Sequence, residues 1–161
     1  MSKEITISAK DVQEIRNETG LGVMDIKNAL EQAGGNKEKA LEILKEKAGE
    51  KMEKRAGRAT GQGKIGAYVH GDGKSACMVE VGCETDFVAK NEYFIAFVKD
   101  LTLQIISMKP INIEELLDQD FIKDSKKKIS DLLKEIVAKT GENIEIKRFT
   151  VYEIANDPIT C

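Results

Sequence analysis

The chain has 161 residues, 41% apolar and 33% charged, with a formal net charge of -3, a balance that describes a folded globular protein rather than a disordered or membrane-embedded one. Phosphate binding relies on a surplus of Lys and Arg, so the acidic balance argues against nucleic acid as a main partner. No apolar run approaches the ~18 residues of a membrane span, and the polar start MSKEITISAK is no secretory signal, so a cytoplasmic location without membrane contact is expected.

This length accommodates a small module followed by a second compact one. Ser8 is placed to cap a first helix whose Val12, Ile15 and Thr19 share a face before Gly20 ends it. Gly20, Leu21, Gly22, Val23 and Met24 then read as a loop holding three apolar side chains among glycines. One reading has them close a small core; another gives Val23 and Met24 a contact surface as well, because methionine adapts to partners. Asp25 is expected to cap a second helix with Ile26, Ala29, Leu30 and Ala33 at helical spacing, stopped by Gly34 and Gly35. Asn36 caps a third, with Ala40, Leu41, Leu44 and Ala48 inward. Residues 1–48 thus form a three-helix module whose core is marginal by size alone.

Residues 49–62 are the expected linker. Around it Lys45, Lys47, Lys51, Lys54, Arg55 and Arg58 outnumber Glu46, Glu50 and Glu53, which reads as a solvated helical connection, with a nucleic-acid contact as the alternative.

From residue 63 to 161 the period changes. Ile65, Ala67 and Val69 alternate with Lys64, Gly66, Tyr68 and His70; Gly71, Asp72 and Gly73 turn; Cys77, Val79, Val81 and Cys83 alternate with Met78, Glu80 and Gly82. This pattern predicts a β-hairpin. A helix is expected from about Asn91 to Met108, with Phe94, Phe97, Val98, Leu101 and Ile105 on one stripe, ended by Pro110. Asn112 is placed to cap a short helix through Leu117, and a further helix is expected from Ser125 to Lys139 with Ile129, Leu132, Leu133, Ile136 and Val137 inward. A last strand, Ile144 to Ile154, shifts its alternation near Phe149, the mark of a bulge. Strands packed on helices make this an α+β domain.

Catalytic chemistry finds no foothold. Gly73, Lys74 and Ser75 spell the end of a phosphate loop, but Tyr68 stands where that motif needs glycine and a strand follows where it needs a helix. A single histidine, His70, rules out a histidine metal cluster, and Cys77 and Cys83 lack zinc spacing. These two cysteines read as small apolar strand residues; Cys161 could pair with its copy in a symmetric dimer. No serine or cysteine triad signature and no apolar carboxylate pair stands out. The expectation is a binding protein that is not an enzyme and needs neither cofactor nor metal.

The most informative stretch is Cys83 to Asn91, CETDFVAKN. Phe87 is a bare aromatic between a strand and a helix, where leaving it exposed forgoes about 2 kcal/mol unless a core or a partner covers it.

At these residues the chain resembles the bacterial elongation factor Ts family, guanine-nucleotide exchange factors of elongation factor Tu. The likeness runs through IRNETGLGVMDIKNALEQAGGNKEKALEIL, GKIGAYVH, MVEVGCETDFVAKNEYFIAFVKDL and IVAKTGENIEIKRF, nearly the whole length. It implies a ubiquitin-associated-like N-terminal module and elongation factor Tu as partner. Carried over, Thr85, Asp86, Phe87 and Val88 form the segment that enters the GTPase domain near its magnesium and phosphate site, with Phe87 as the wedge and Asp86 fixing the turn. The resemblance also implies a second contact through Ile15, Val23 and Met24, and a third on or near the partner surface through Gly141, Glu142 and Asn143 after Thr140. Leu21, Val23 and Thr140 depart from the residues most usual in the family. Tyr68-Val69-His70-Gly71 resembles a histidine contact that longer members carry in a second copy of the core, so a homodimer is implied in which one subunit gives Phe87 and the other His70. Two rivals remain: an adaptor of the ubiquitin-associated type that works through the N-terminal helices alone, and RNA binding through the basic linker.

Overall fold

The computed structural model describes residues 7–154. In chain order its elements are α1 (Ala9–Thr19), α2 (Val23–Gln32), α3 (Lys37–Arg55), β1 (Gln62–Val69), β2 (Ser75–Cys83), α4 (Asp86–Ala89) and α5 (Glu92–Met108), followed by α6 (Ile113–Asp118), β3 (Asp120–Phe121), β4 (Asp124–Lys128), α7 (Ile129–Thr140) and β5 (Glu145–Glu153). Helices and a small antiparallel sheet give the expected α+β class. Ser8, Asn36, Asn91 and Asn112 each accept a backbone N–H from the first turn of the helix they open, and Thr85 does the same for α4. No helix of the described residues is long and apolar enough to cross a membrane.

The chain divides into two compact units. One runs through Arg58 and takes in Leu133–Asn143; the other comprises Ala59–Leu132 and the chain from Ile144 on. In the first unit, Val12, Ile15, Ile26, Ala29, Leu30, Ala40 and Leu44 form the core, with Leu21, Val23 and Leu41 packed against it. The second helix begins earlier than its sequence suggests. Gly22 holds the N-cap position without a side-chain bond, so Val23 and Met24 belong to the first turn of α2, and Asp25, expected as the cap, lies inside the helix. There its carboxylate still faces the positive helix end and pairs with Lys51 Nζ at 2.9 Å. Helix α3 continues unbroken to Arg55, through the first part of the stretch expected as a helical connection.

In the second unit the sheet has the order β1-β2-β5, antiparallel throughout. Cys77, Val79, Val81 and Cys83 are buried, as their alternation predicts. Their partners in β1 are Tyr68, Gly66, Lys64 and Gln62. The apolar set Ile65, Ala67 and Val69 therefore lies on the opposite, open face. Gly66 lets α5 approach: a Cβ there would sit 2.6 Å from Val98 Cγ1 and 2.9 Å from Thr102 Cγ2. Phe94, Val98, Leu101 and Ile105 of α5 are buried along the expected stripe.

One expectation about the C-terminal part is corrected. Residues 125–128, expected to start a helix, pair instead with β3 as an antiparallel ribbon, and α7 begins only at Ile129. Asp131 accepts from the Lys128 N–H at 3.1 Å, fixing that start. The buried Gln104 anchors the ribbon: its Nε2 donates to Asp120 O at 3.0 Å and its Oε1 accepts from Ile122 N at 3.0 Å. The bulge expected in β5 near Phe149 is present at Lys147, the residue left over between the pairs Glu80↔Arg148 and Val81↔Ile146.

Candidate functional site

The CETDFVAKN stretch folds as a single helical turn. Thr85 Oγ1 accepts from Val88 N at 3.4 Å, and Thr85 O accepts from Ala89 N at 3.3 Å and from the Cys83 thiol at 3.1 Å. Asn91 N closes the segment on Val88 O at 3.0 Å before Asn91 opens α5. Consecutive residues of a helical turn point about 100° apart. Val88 is accordingly 9% exposed and Phe87 83% exposed, the highest value among the large aromatics. Thr85 and Asp86 are exposed beside it. Asp86 pairs with Lys90 at 3.1 Å on the open surface, a link worth well under 1 kcal/mol.

The first unit presents a different surface. Met24 is 67% exposed and Val23 half-buried, whereas Ile15 has no exposed surface at all. Ile15 thus belongs to the core against which Val23 packs and offers no area of its own. Thr140 and Gly141, half-buried, end α7. Thr140 Oγ1 donates to Ile136 O at 2.8 Å, and Gly141, with φ +72°, donates its N–H to Val137 O at 2.9 Å in a left-handed cap that favours glycine. The Lys139 side chain lies over Gly20, where a Cβ would meet Lys139 Cε at 2.9 Å. Gly20 is therefore within reach of the Lys139 side chain at the end of α7, although more than a hundred positions separate them in sequence.

His70 lies in the exposed turn after β1, its Nδ1 3.4 Å from Tyr68 Oη. Gln62 pairs with Cys83 at one end of the hairpin and Val69 with Ala76 at the other. His70 and Phe87 therefore mark opposite ends of a hairpin about 24 Å long and are not brought together within one chain.

Sequence reasoning passed over two features. Ile65, Val69, Met78 and Tyr152 stand 63%, 64%, 49% and 69% exposed, and the register places them on the sheet face turned away from α5. Arg55, read as part of a solvated linker, donates from Nε to Gly141 O at 2.6 Å. Burial pushes the Cys77 thiol above its ordinary pKa, and it donates to Thr102 O at 3.2 Å, a packed residue. Cys83 is likewise buried; Cys161 lies outside the described residues. Among the described residues no cluster of three or more His, Cys, Asp or Glu is arranged to hold a metal ion.

A sequence model of the family described as "Elongation factor TS" matches residues 84–160, beginning one residue before Thr85. Elongation factor Ts of Leptospira biflexa is 37% identical over 198 aligned positions, covering 95% of this chain and all of that protein. Elongation factor Ts of Solidesulfovibrio magneticus is 38% identical, covering 94% of this chain and 98% of that protein. For the Clostridium kluyveri protein of that name, identity is 46% over 143 residues, 89% of this chain but 47% of the longer relative. At this identity and coverage, with the exposed Phe87 turn inside the matched residues, the chain belongs to the elongation factor Ts family of translation elongation factors.

Proposed function

We propose that this chain binds the GTPase elongation factor Tu in its GDP state and promotes release of GDP, allowing GTP to replace it. Phe87 carries the reading: a phenylalanine held outward by a hydrogen-bonded turn, 83% exposed, has the form of an anchor for a partner's apolar slot. Val88 roots the turn while Thr85 and Asp86 flank the ring. Val23 and Met24, joined by Thr140 and Gly141, supply a second contact, with Ile15 beneath them.

The exchange factor needs no catalytic side chain and no cofactor. Its contacts are made better with a GTPase whose magnesium and phosphate site is distorted, so factor and GDP each weaken the other's hold. Linkage makes that weakening reciprocal. An adaptor acting through α1 to α3 alone would leave the exposed Phe87 turn without a role, which favours exchange over the adaptor reading.

The exchange reading extends to a pair of chains. A sheet that is apolar on both faces is unusual when one face meets water, and the open face with Ile65, Val69, Met78 and Tyr152 suits a second copy of itself. Pairing also addresses the separation of His70 and Phe87: one subunit would give the ring and its partner the imidazole.

Calorimetric titration of elongation factor Tu with this chain tests the central reading. Affinity for the nucleotide-free GTPase should exceed that for the GDP complex by about 5- to 150-fold. Equal affinity for both states would remove exchange and leave an adaptor.

A further inference from the structure

The C-terminal half of α3 reads in the sequence as a charged, solvated connection, yet it is tied at two levels to residues distant in the chain. Lys51 Nζ reaches the Asp25 carboxylate in the first turn of α2 at 2.9 Å. One helical turn further on, Arg55 Nε donates to Gly141 O at 2.6 Å while its Nη1 returns to Lys51 O at 3.2 Å. Beyond the helix end, Asn143 Nδ2 donates to Arg58 O at 2.8 Å. Lys51 and Arg55 are four positions apart and so share a helix face. That face meets the start of α2, next to Val23 and Met24, and the end of α7, next to Thr140.

A guanidinium is a planar, permanently charged donor, and its bond to a carbonyl is charge-assisted. Here the acceptor is the glycine whose left-handed backbone ends α7. A carbonyl in that place swings with the φ and ψ of Gly141, the least restricted residue type. The Arg55 bond removes that freedom, and its bond back to Lys51 O fixes the guanidinium in turn.

We propose that Arg55 is a positioning residue that holds the Thr140–Gly141 end in register with the Val23–Met24 turn, so that the two form one preorganised contact for the GTPase. The inference rests on the exchange reading for what the contact binds, but the latch can be measured without a partner.

The test uses the full chain and Arg55→Gln, which keeps a good helix former in α3. Amide hydrogen exchange on the free proteins should rise about tenfold at Gly141 and Glu142 in the variant while Leu30 and Val98 stay within about twofold. No change at Gly141 and Glu142, or an equal rise everywhere, would overturn the latch. Affinity for elongation factor Tu should fall about three- to tenfold in Arg55→Gln, and Thr140→Ala should weaken binding less in the variant than in the wild-type chain, because a displaced loop has already lost its contact. Additive losses would overturn the positioning role. If the wild-type chain fails to bind elongation factor Tu, the exchange reading falls, and the latch is decided by the amide rates alone.

Discussion

Gly66 sets how closely the sheet and α5 pack in the second unit, because the space a Cβ would occupy is filled by Val98, Thr102 and Val79. Overfilling such a site forces side chains off their rotamers. Gly66→Ala is expected to destabilise the protein by about 1–3 kcal/mol, read as a lower urea midpoint with an unchanged slope. Other residues were plain from the sequence because their chemistry is local: Ser8, Asn36, Asn91 and Asn112 cap helices using atoms within three residues of themselves. Asp25 shows the limit of that reasoning. An acidic residue suits a cap and a first turn alike, and here Gly22, in ordinary extended backbone, took the cap while Lys51 took the carboxylate. Phe87 was recognisable as an uncovered aromatic; that a capped helical turn holds it outward was not.

At the level of elements, β2 and α5 were legible because period and burial agree in each: alternate residues of β2 and one stripe of α5 are buried. The open sheet face was harder to see, although the signal existed. His70 N bonds to Ser75 O across a four-residue turn, so odd-numbered residues of β1 stand opposite even-numbered residues of β2. The two odd-numbered apolar sets must then lie on opposite faces, one against α5 and one outward. Met78→Lys, on the same outward face opposite Ala67, is expected to leave folding intact, since an exposed substitution usually shifts stability by no more than ~0.5 kcal/mol. In sedimentation, wild-type dimers at micromolar concentration should become monomers in the variant; a wild-type monomer would remove the paired arrangement. The β3–β4 ribbon escaped prediction because its lysines favour helix over strand, and its place depends on Gln104, distant in sequence. The reach of α3 to Gly141 escaped for the same reason: its bond spans 86 positions.

For the whole molecule, the proposed contacts with the GTPase draw on both units: Phe87 on its turn in the second, and Val23, Met24, Thr140 and Gly141 in the first. Exchange depends on binding energy applied to a GTPase that then holds GDP less tightly. Elongation factor Tu loaded with a fluorescent GDP, chased with excess unlabelled GTP, gives the release rate directly. The wild-type chain should raise that rate by at least tenfold, and Phe87→Ala, with its thermal midpoint unchanged, should lose most of the gain, because truncating an anchor of this kind costs about 2–4 kcal/mol of binding. Release no faster with the wild-type chain than without it would contradict the account.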